Sequence, residues 1–289
     1  MPTSIQAALQ GVVQGLTEFL PVSSSAHLIL ARLFFGFDGE RFGLAFDVAC
    51  HVGTLIAVVV YFRRELGAMI EALPYLLAGL TKTPSDRVDR TDRPVDGRER
   101  READARLIWL LVIGTVPAVI AGPLFKHQIE EQMRTPSIAA AMLAIGGVLF
   151  LVAERAGSKA RTAGTITWAD AFWIGCAQAV ALVPGVSRSG ATLTVALFLG
   201  LRRTDAARFI FLLSVPAILG AAASEAPHLL RSGLGDARSL FAIGFVTSAI
   251  VGYATVKYFI RYLGLHSLAA FAWYRLALAA VVAGWMLRA

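Results

Sequence analysis

Apolar stretches recur from one end of the chain to the other, separated by short polar or basic breaks, at about 4–20, 22–36, 44–62, 66–80, 107–125, 137–154, 168–183, 187–200, 206–224, 239–258 and 268–287. A bilayer core needs roughly 20 apolar residues in a helix. Six stretches have that length: 44–62, 107–125, 137–154, 206–224, 239–258 and 268–287. The pattern over 66–80 is amphipathic, with Glu71 and Pro74 inside it, and reads as a continuation lying at the interface.

Two pairs of stretches are too short to cross. Residues 4–20 and 22–36 are separated by Pro21, and 168–183 and 187–200 by Pro184-Gly185. Each pair reads as a re-entrant hairpin that enters and leaves on one side. The two pairs also repeat one another. Gly11 aligns with Gly175, Gln14 with Gln178, Val22 with Val186, Ser23 with Ser187 and Ser25 with Ser189. Three spans lie between the hairpins, an odd number, so the second hairpin enters from the opposite face. The expected architecture is therefore an all-α polytopic membrane protein with an inverted-topology repeat, each half a re-entrant hairpin plus three transmembrane helices. The whole of 1–289 reads as a single membrane domain, with 1–154 as the first half and 155–289 as the second. Broken helices in corresponding halves are a pointer to a binding site buried in a membrane protein.

Composition agrees. Hydrophobic residues make up 56% of the 289 positions, charged residues only 16%, and the mean hydropathy is +0.64. The net charge of +7 does not mark a nucleic-acid binder, because the cations sit in loops between apolar runs. Arg63, Arg64, Arg155, Lys159, Arg161, Arg202, Arg203, Arg208, Lys257 and Arg261 fall on one face, together with the cations of 81–106. By the positive-inside tendency that face is cytoplasmic. The first hairpin then opens outward. Residues 81–106 alternate Arg and Asp or Glu without apolar periodicity and read as a solvated, flexible cytoplasmic loop. The N-terminus lacks the basic region of a cleavable signal peptide. Cys50 and Cys176 have neither metal-binding spacing nor the downstream Arg of a cysteine phosphatase.

Charged groups are costly in the hydrocarbon, about 2.5–3.5 kcal/mol at a helix centre on insertion scales. Glu18 and Arg188 are therefore candidates for chemistry. Ser23-Ser24-Ser25 and Ser187-Arg188-Ser189 stand where new helices begin. A helix start offers free N–H groups and a positive dipole end to an anion, and Arg188 can clamp oxygens bidentately. Thr192, four residues on, shares its face. Ser24 and His27 are three apart, which places a hydroxyl beside an imidazole for nucleophilic or acid–base work. Gln14 and Glu18 share a face of the preceding arm. Glu18 beside a phosphate serves either as a general acid or base or as an oxygen ligand to a hard divalent cation, Mg²⁺ or Ca²⁺. Pro117 and Pro216 read as tolerated kinks, Asp47 and His51 as structural or capping groups, and Arg275 as a side chain that pairs with a helix terminus or snorkels.

The strings Gln14-Gly-Leu-Thr-Glu18-Phe-Leu-Pro-Val-Ser-Ser24-Ser-Ala-His27 and Pro184-Gly-Val-Ser187-Arg188-Ser189-Gly-Ala-Thr192 resemble the two signature motifs of the undecaprenyl-pyrophosphate phosphatase family of the bacitracin-resistance type. The resemblance extends over essentially the whole chain. It implies hydrolysis of a C55 isoprenyl pyrophosphate to the monophosphate carrier of peptidoglycan synthesis, in the bacterial cytoplasmic membrane, with the site opening to the periplasmic face. It places the family's motif positions on Glu18, Ser24, His27, Arg188 and Thr192. Gln14 stands where many members carry Glu, leaving Glu18 as the only motif acid. Two rivals come from other classes. An anion transporter or lipid-phosphate flippase would use the same midplane site, and an acid phosphatase is faintly echoed by Ser25-Ala26-His27.

Overall fold

The computed structural model describes residues 3–37, 42–77, 97–232 and 238–288. Among them are eleven α-helices, one short 3₁₀ turn and no strand beyond a single bridge between Arg161 and Leu201. In chain order they are α1 Thr3–Thr17, α2 Ser24–Phe35, α3 Leu44–Tyr61, α4 Arg63–Leu77, α5 Gly97–Glu131, α6 Pro136–Ala156, α7 Trp168–Val180, α8 Arg188–Phe198, α9 Arg203–Ser232, α10 Arg238–Leu263 and α11 Ala269–Met286. Five of these, α5, α6, α9, α10 and α11, are long and apolar enough to cross a membrane. The pair α3–α4 makes a sixth candidate, bent by 78° at the junction. That bend turns α4 away from the direction of α3.

The four arms α1, α2, α7 and α8 are 15, 12, 13 and 11 residues long, below a bilayer's needs. Each pair is broken where the sequence places proline. α1 ends at Thr17, and residues 18–22 turn before Ser23 starts α2 at φ 74°. α7 ends at Val180, and Gly185 at φ 94° and Ser187 at φ 71° lead into α8. The two serines repeat the same left-handed backbone, unusual outside glycine and costing about 1–3 kcal/mol each. Each also caps its helix: the Ser23 Oγ accepts from the Ala26 N–H at 3.4 Å, and the Ser187 Oγ from the Gly190 N–H at 3.1 Å.

The arms pack on partners distant in sequence. α1 lies along α10, and α7 lies along α5. Both approaches depend on glycine. A methyl group at Gly11 would stand 2.7 Å from the Gly244 carbonyl oxygen, and one at Gly175 would collide with the carbonyl of Gly114. Small residues at such crossings let helix backbones approach in lipid, where no hydrophobic force drives them together. An aromatic core sits beneath the first break. Phe19 meets Phe211 edge to face at 5.4 Å, and Phe211 packs against Phe259. Outward-facing Ile120, Leu124, Trp173, Ile250 and Val281 leave an apolar exterior.

One expectation is corrected. Residues 97–106, read as flexible loop, form the first turns of α5. The alternating charges are spaced for helix: the Arg98 Nε donates to the Glu102 carboxylate at 3.1 Å, four residues on, and Arg101 donates to the Tyr75 hydroxyl of α4. Absence of an apolar stripe is no bar to helix when i,i+4 pairs and a neighbouring helix support it. Residues 78–96, the rest of that segment, lie outside the described residues. Four of the spans, α5, α6, α9 and α10, also run longer than expected, with α5 passing through Pro117 and Pro123 unbroken.

Candidate active site

The two breaks meet. Ser25 of the first accepts from the Gly185 N–H of the second at 3.3 Å, and Ser189 of the second donates to the Leu20 carbonyl of the first at 3.0 Å. Each break thus holds the other through the serine at the third position of its motif. Within each motif the outer hydroxyls also touch, Ser23 with Ser25 at 3.2 Å and Ser187 with Ser189 at 3.3 Å.

Glu18 lies at this junction, immediately after α1 ends, and is buried, with 7% of its surface exposed. Its Oε1 pairs with the Arg188 guanidinium from α8. Its Oε2 accepts from the Gln14 amide at 2.8 Å and from the Ser24 hydroxyl at 2.8 Å. A fourth group approaches from α3: the His51 Nε2 stands 3.4 Å from the same Oε2. A buried carboxylate is tolerated only when paired and hydrogen-bonded, and this one is so on every side. Gln14 is itself fully buried, as its place on α1 against α10 requires.

The expected Ser24–His27 pairing is replaced by another. Both are on one face of α2, but the His27 Nδ1 lies 2.7 Å from the Ser23 carbonyl oxygen, which only an N–H there can satisfy. Its Nε2 meets the Tyr274 hydroxyl at 2.7 Å, and the two rings stack nearly parallel. Ser24 is left to Glu18. A hydroxyl donating to a buried carboxylate is the arrangement that a nucleophile and its base would take.

The remaining motif groups split in role. Ser23 and Ser187 serve as caps, and Ser189 bridges to the other break. The Thr192 hydroxyl donates to the Arg188 carbonyl at 2.7 Å, so it steadies the turn that carries the guanidinium. A phosphate held at the start of α8 would have Arg188 and the first N–H groups of that helix as its donors.

Two residues from α11 support the site, and sequence reasoning had tied only one of them to a helix end. Arg275 is 1% exposed, and its guanidinium donates to the Val186 carbonyl at 2.9 Å and to those of Met142 and Gly185. It does pair with a helix terminus, the turn that opens α8. Its neighbour Tyr274 holds His27. Asp47, expected to be structural, is nearly buried and accepts from Arg32 and, at 3.1 Å, from Arg134, joining α2, α3 and the α5–α6 turn. In the sequence His51 stands out only as a structural or capping group and Tyr274 not at all, since each comes from an apolar helix outside the motifs.

A resident divalent cation fits this donor set poorly. Among the described residues no three His, Cys, Asp or Glu side chains cluster as a metal site. Glu18 offers the one carboxylate here, and Arg188, Gln14 and Ser24 already use its oxygens. Mg²⁺ takes six oxygen ligands and usually arrives with phosphate and water among them.

A family model described as bacitracin resistance protein BacA matches residues 7–281 of the chain. The undecaprenyl-diphosphatase of Rubrobacter xylanophilus is 50% identical over 284 residues, 98% of each chain. Undecaprenyl-diphosphatase 2 of Stutzerimonas stutzeri is 44% identical over 281 residues, 96% of each chain. The undecaprenyl-diphosphatase of Geobacter metallireducens is 44% identical over 275 residues, 94% of each.

Proposed function

Since the chain belongs to the bacitracin resistance protein BacA family, we propose that it is an integral membrane phosphatase. It hydrolyses undecaprenyl pyrophosphate to undecaprenyl phosphate and inorganic phosphate, recycling the carrier lipid of cell-wall synthesis and so conferring bacitracin resistance. The observation that carries this reading is the convergence on Glu18 of Ser24 from its own break and Arg188 from the other. A carrier or flippase would need Arg188 to bind phosphate. It would have no use for a hydroxyl placed on a buried carboxylate.

The chemistry follows from the placement. The terminal phosphoryl group enters between the breaks, with the isoprenyl chain in lipid. Arg188 and the N–H groups opening α8 hold its oxygens and draw off charge, which is most of what phosphoryl transfer requires. Glu18 takes the proton of the Ser24 hydroxyl as Oγ attacks the terminal phosphorus. The bond from that phosphorus to the bridging oxygen breaks, and undecaprenyl monophosphate leaves with the bridging oxygen. Glu18 passes that proton to the departing monophosphate, then takes one from the water that attacks the Ser24 phosphoester and returns it to Oγ as inorganic phosphate leaves. A divalent cation, Mg²⁺ or Ca²⁺, carried in by the pyrophosphate as part of the substrate would supply further positive charge. His27, held by Ser23 and Tyr274, orients the start of α2.

The architecture supports an inverted repeat. Equivalent serines share one backbone conformation, and equivalent arms pack through equivalent glycines on α10 and α5. With basic residues toward the cytoplasm, the pocket opens on the outer face of the bacterial inner membrane, where the spent carrier is released. The test is release of inorganic phosphate from undecaprenyl pyrophosphate by the purified protein in detergent. Steady release by the wild type that is absent from Arg188→Ala is expected. No release from the wild type would overturn the reading.

A further inference from the structure

His51 stands outside both motifs, on α3, yet its ring reaches the central carboxylate. Two contacts fix how it does so. The Nδ1 is 2.7 Å from the Asp47 carbonyl oxygen one turn earlier, so Nδ1 carries a proton and the ring cannot turn over. In the following turn the Thr54 hydroxyl donates to the His51 carbonyl at 2.8 Å. The opposite nitrogen, Nε2, is thereby presented to Oε2 of Glu18 at 3.4 Å. Oε2 is also the oxygen that receives the Ser24 hydroxyl. Asp47, which anchors the ring through its backbone, is itself held from either side by Arg32 and Arg134.

We propose that His51 is the positioning residue for Glu18: anchored on α3 through its Nδ1–H and carrying a proton on Nε2 as well, it sets that edge against Oε2 as an ion pair and keeps the oxygen aimed at the Ser24 hydroxyl. Arg188 pulls the other oxygen toward the phosphate, so without a restraint on the Oε2 side the carboxylate would follow the guanidinium and leave Ser24 without its base. Gln14 restrains Oε2 from α1, the helix that ends just before Glu18. His51 restrains it from an independent helix, which fixes the plane of the carboxyl group as well as its reach. Catalytic groups displaced by about 1 Å lose on the order of 10²-fold in rate, so a restraint of this kind acts on turnover and leaves binding nearly alone. The assignment rests on Glu18 being the base for Ser24.

The experiment is steady-state hydrolysis of undecaprenyl pyrophosphate in detergent by His51→Gln, His51→Asn and His51→Leu, with the thermal midpoint of each. Glutamine places an amide N–H close to the position of Nε2, and asparagine falls short by one methylene. The expected result is kcat for His51→Gln within about threefold of wild type. For His51→Asn and His51→Leu, kcat falls about 10- to 100-fold with KM within about twofold. Full kcat in His51→Asn, or a His51→Gln as slow as His51→Leu, would overturn the assignment. Parallel assays of Glu18→Gln and Arg188→Ala separate the two failures. If these are inactive while the His51 variants are unimpaired, only the role of His51 falls. If they too run at wild-type rates, the catalytic reading itself falls.

Discussion

Arg188 and Glu18 form an ion pair across 170 positions of sequence, one from each interrupted hairpin. The pair unites the group that would hold a phosphate with the group that would take a proton. Removing either should therefore abolish turnover in different ways. Arg188→Ala is expected to lower kcat/KM by about 10²–10³-fold, the loss seen when one preorganised donor to a developing charge is removed. Arg188→Lys should recover little, because an ammonium cannot reproduce the planar fork. Phosphate release assays check both, and wild-type rates in Arg188→Ala would refute the assignment.

Ser24 should carry the phosphoryl group between the two half-reactions. Acid quenching during turnover of substrate labelled at the terminal phosphorus is expected to leave label on Ser24. Ser24→Ala should lose about 10³-fold or more in kcat, as for a covalent nucleophile. A fully active Ser24→Ala would instead leave Glu18 to activate water directly.

Chelation separates a substrate-borne cation from a resident one. With EDTA, hydrolysis is expected to fall and to return with Mg²⁺ or Ca²⁺. The thermal midpoint of the substrate-free protein should not move, because a ligand stabilises only the state it binds. A midpoint that drops on chelation would mean a cation site in the protein itself.

The close helix crossings predict where small additions hurt. Gly175→Ala puts a methyl group into the Gly114 carbonyl and should destabilise by about 1–3 kcal/mol, the usual overpacking cost. Gly122, inside α5, has nothing near the position of an added methyl group. Gly122→Ala should be neutral or stabilise by up to about 1 kcal/mol. Thermal unfolding in one detergent compares the two.

Asp47→Asn leaves Arg32 and Arg134 facing one another without their shared anion. Breaking a buried ion pair by removing one partner costs about 3–5 kcal/mol. The partly exposed Arg134 places the expected loss at the lower end. If Asp47→Asn melts like the wild type, the junction of α2, α3 and the α5–α6 turn is not held by this triad.

The hairpins were legible because proline and serine are local signals. Pro21 and Pro184 each follow a helix end and precede serines that start the next helix, whereas Pro117 and Pro123 lie inside the unbroken α5, so the signal is the pairing of proline with the serine motif. That the breaks meet was legible from their repetition. What the sequence could not show is which side chain of an unbroken apolar helix faces the pocket. His51 and Tyr274 look, in the chain, like any polar residue in a span. The i,i+3 spacing correctly put Ser24 and His27 on one face, yet spacing does not tell where a side chain turns. His27 turns to the Ser23 carbonyl and to Tyr274, and Ser24 to Glu18. The helical 97–106 stayed hidden because its support comes from charge pairs and from α4.

The reciprocal hydroxyl links, Ser25 to the backbone at Gly185 and Ser189 to the backbone at Leu20, make the two breaks interdependent. The guanidinium comes from one and the carboxylate from the other, so a substitution that loosens either latch should disturb a pair whose members lie far apart in the chain.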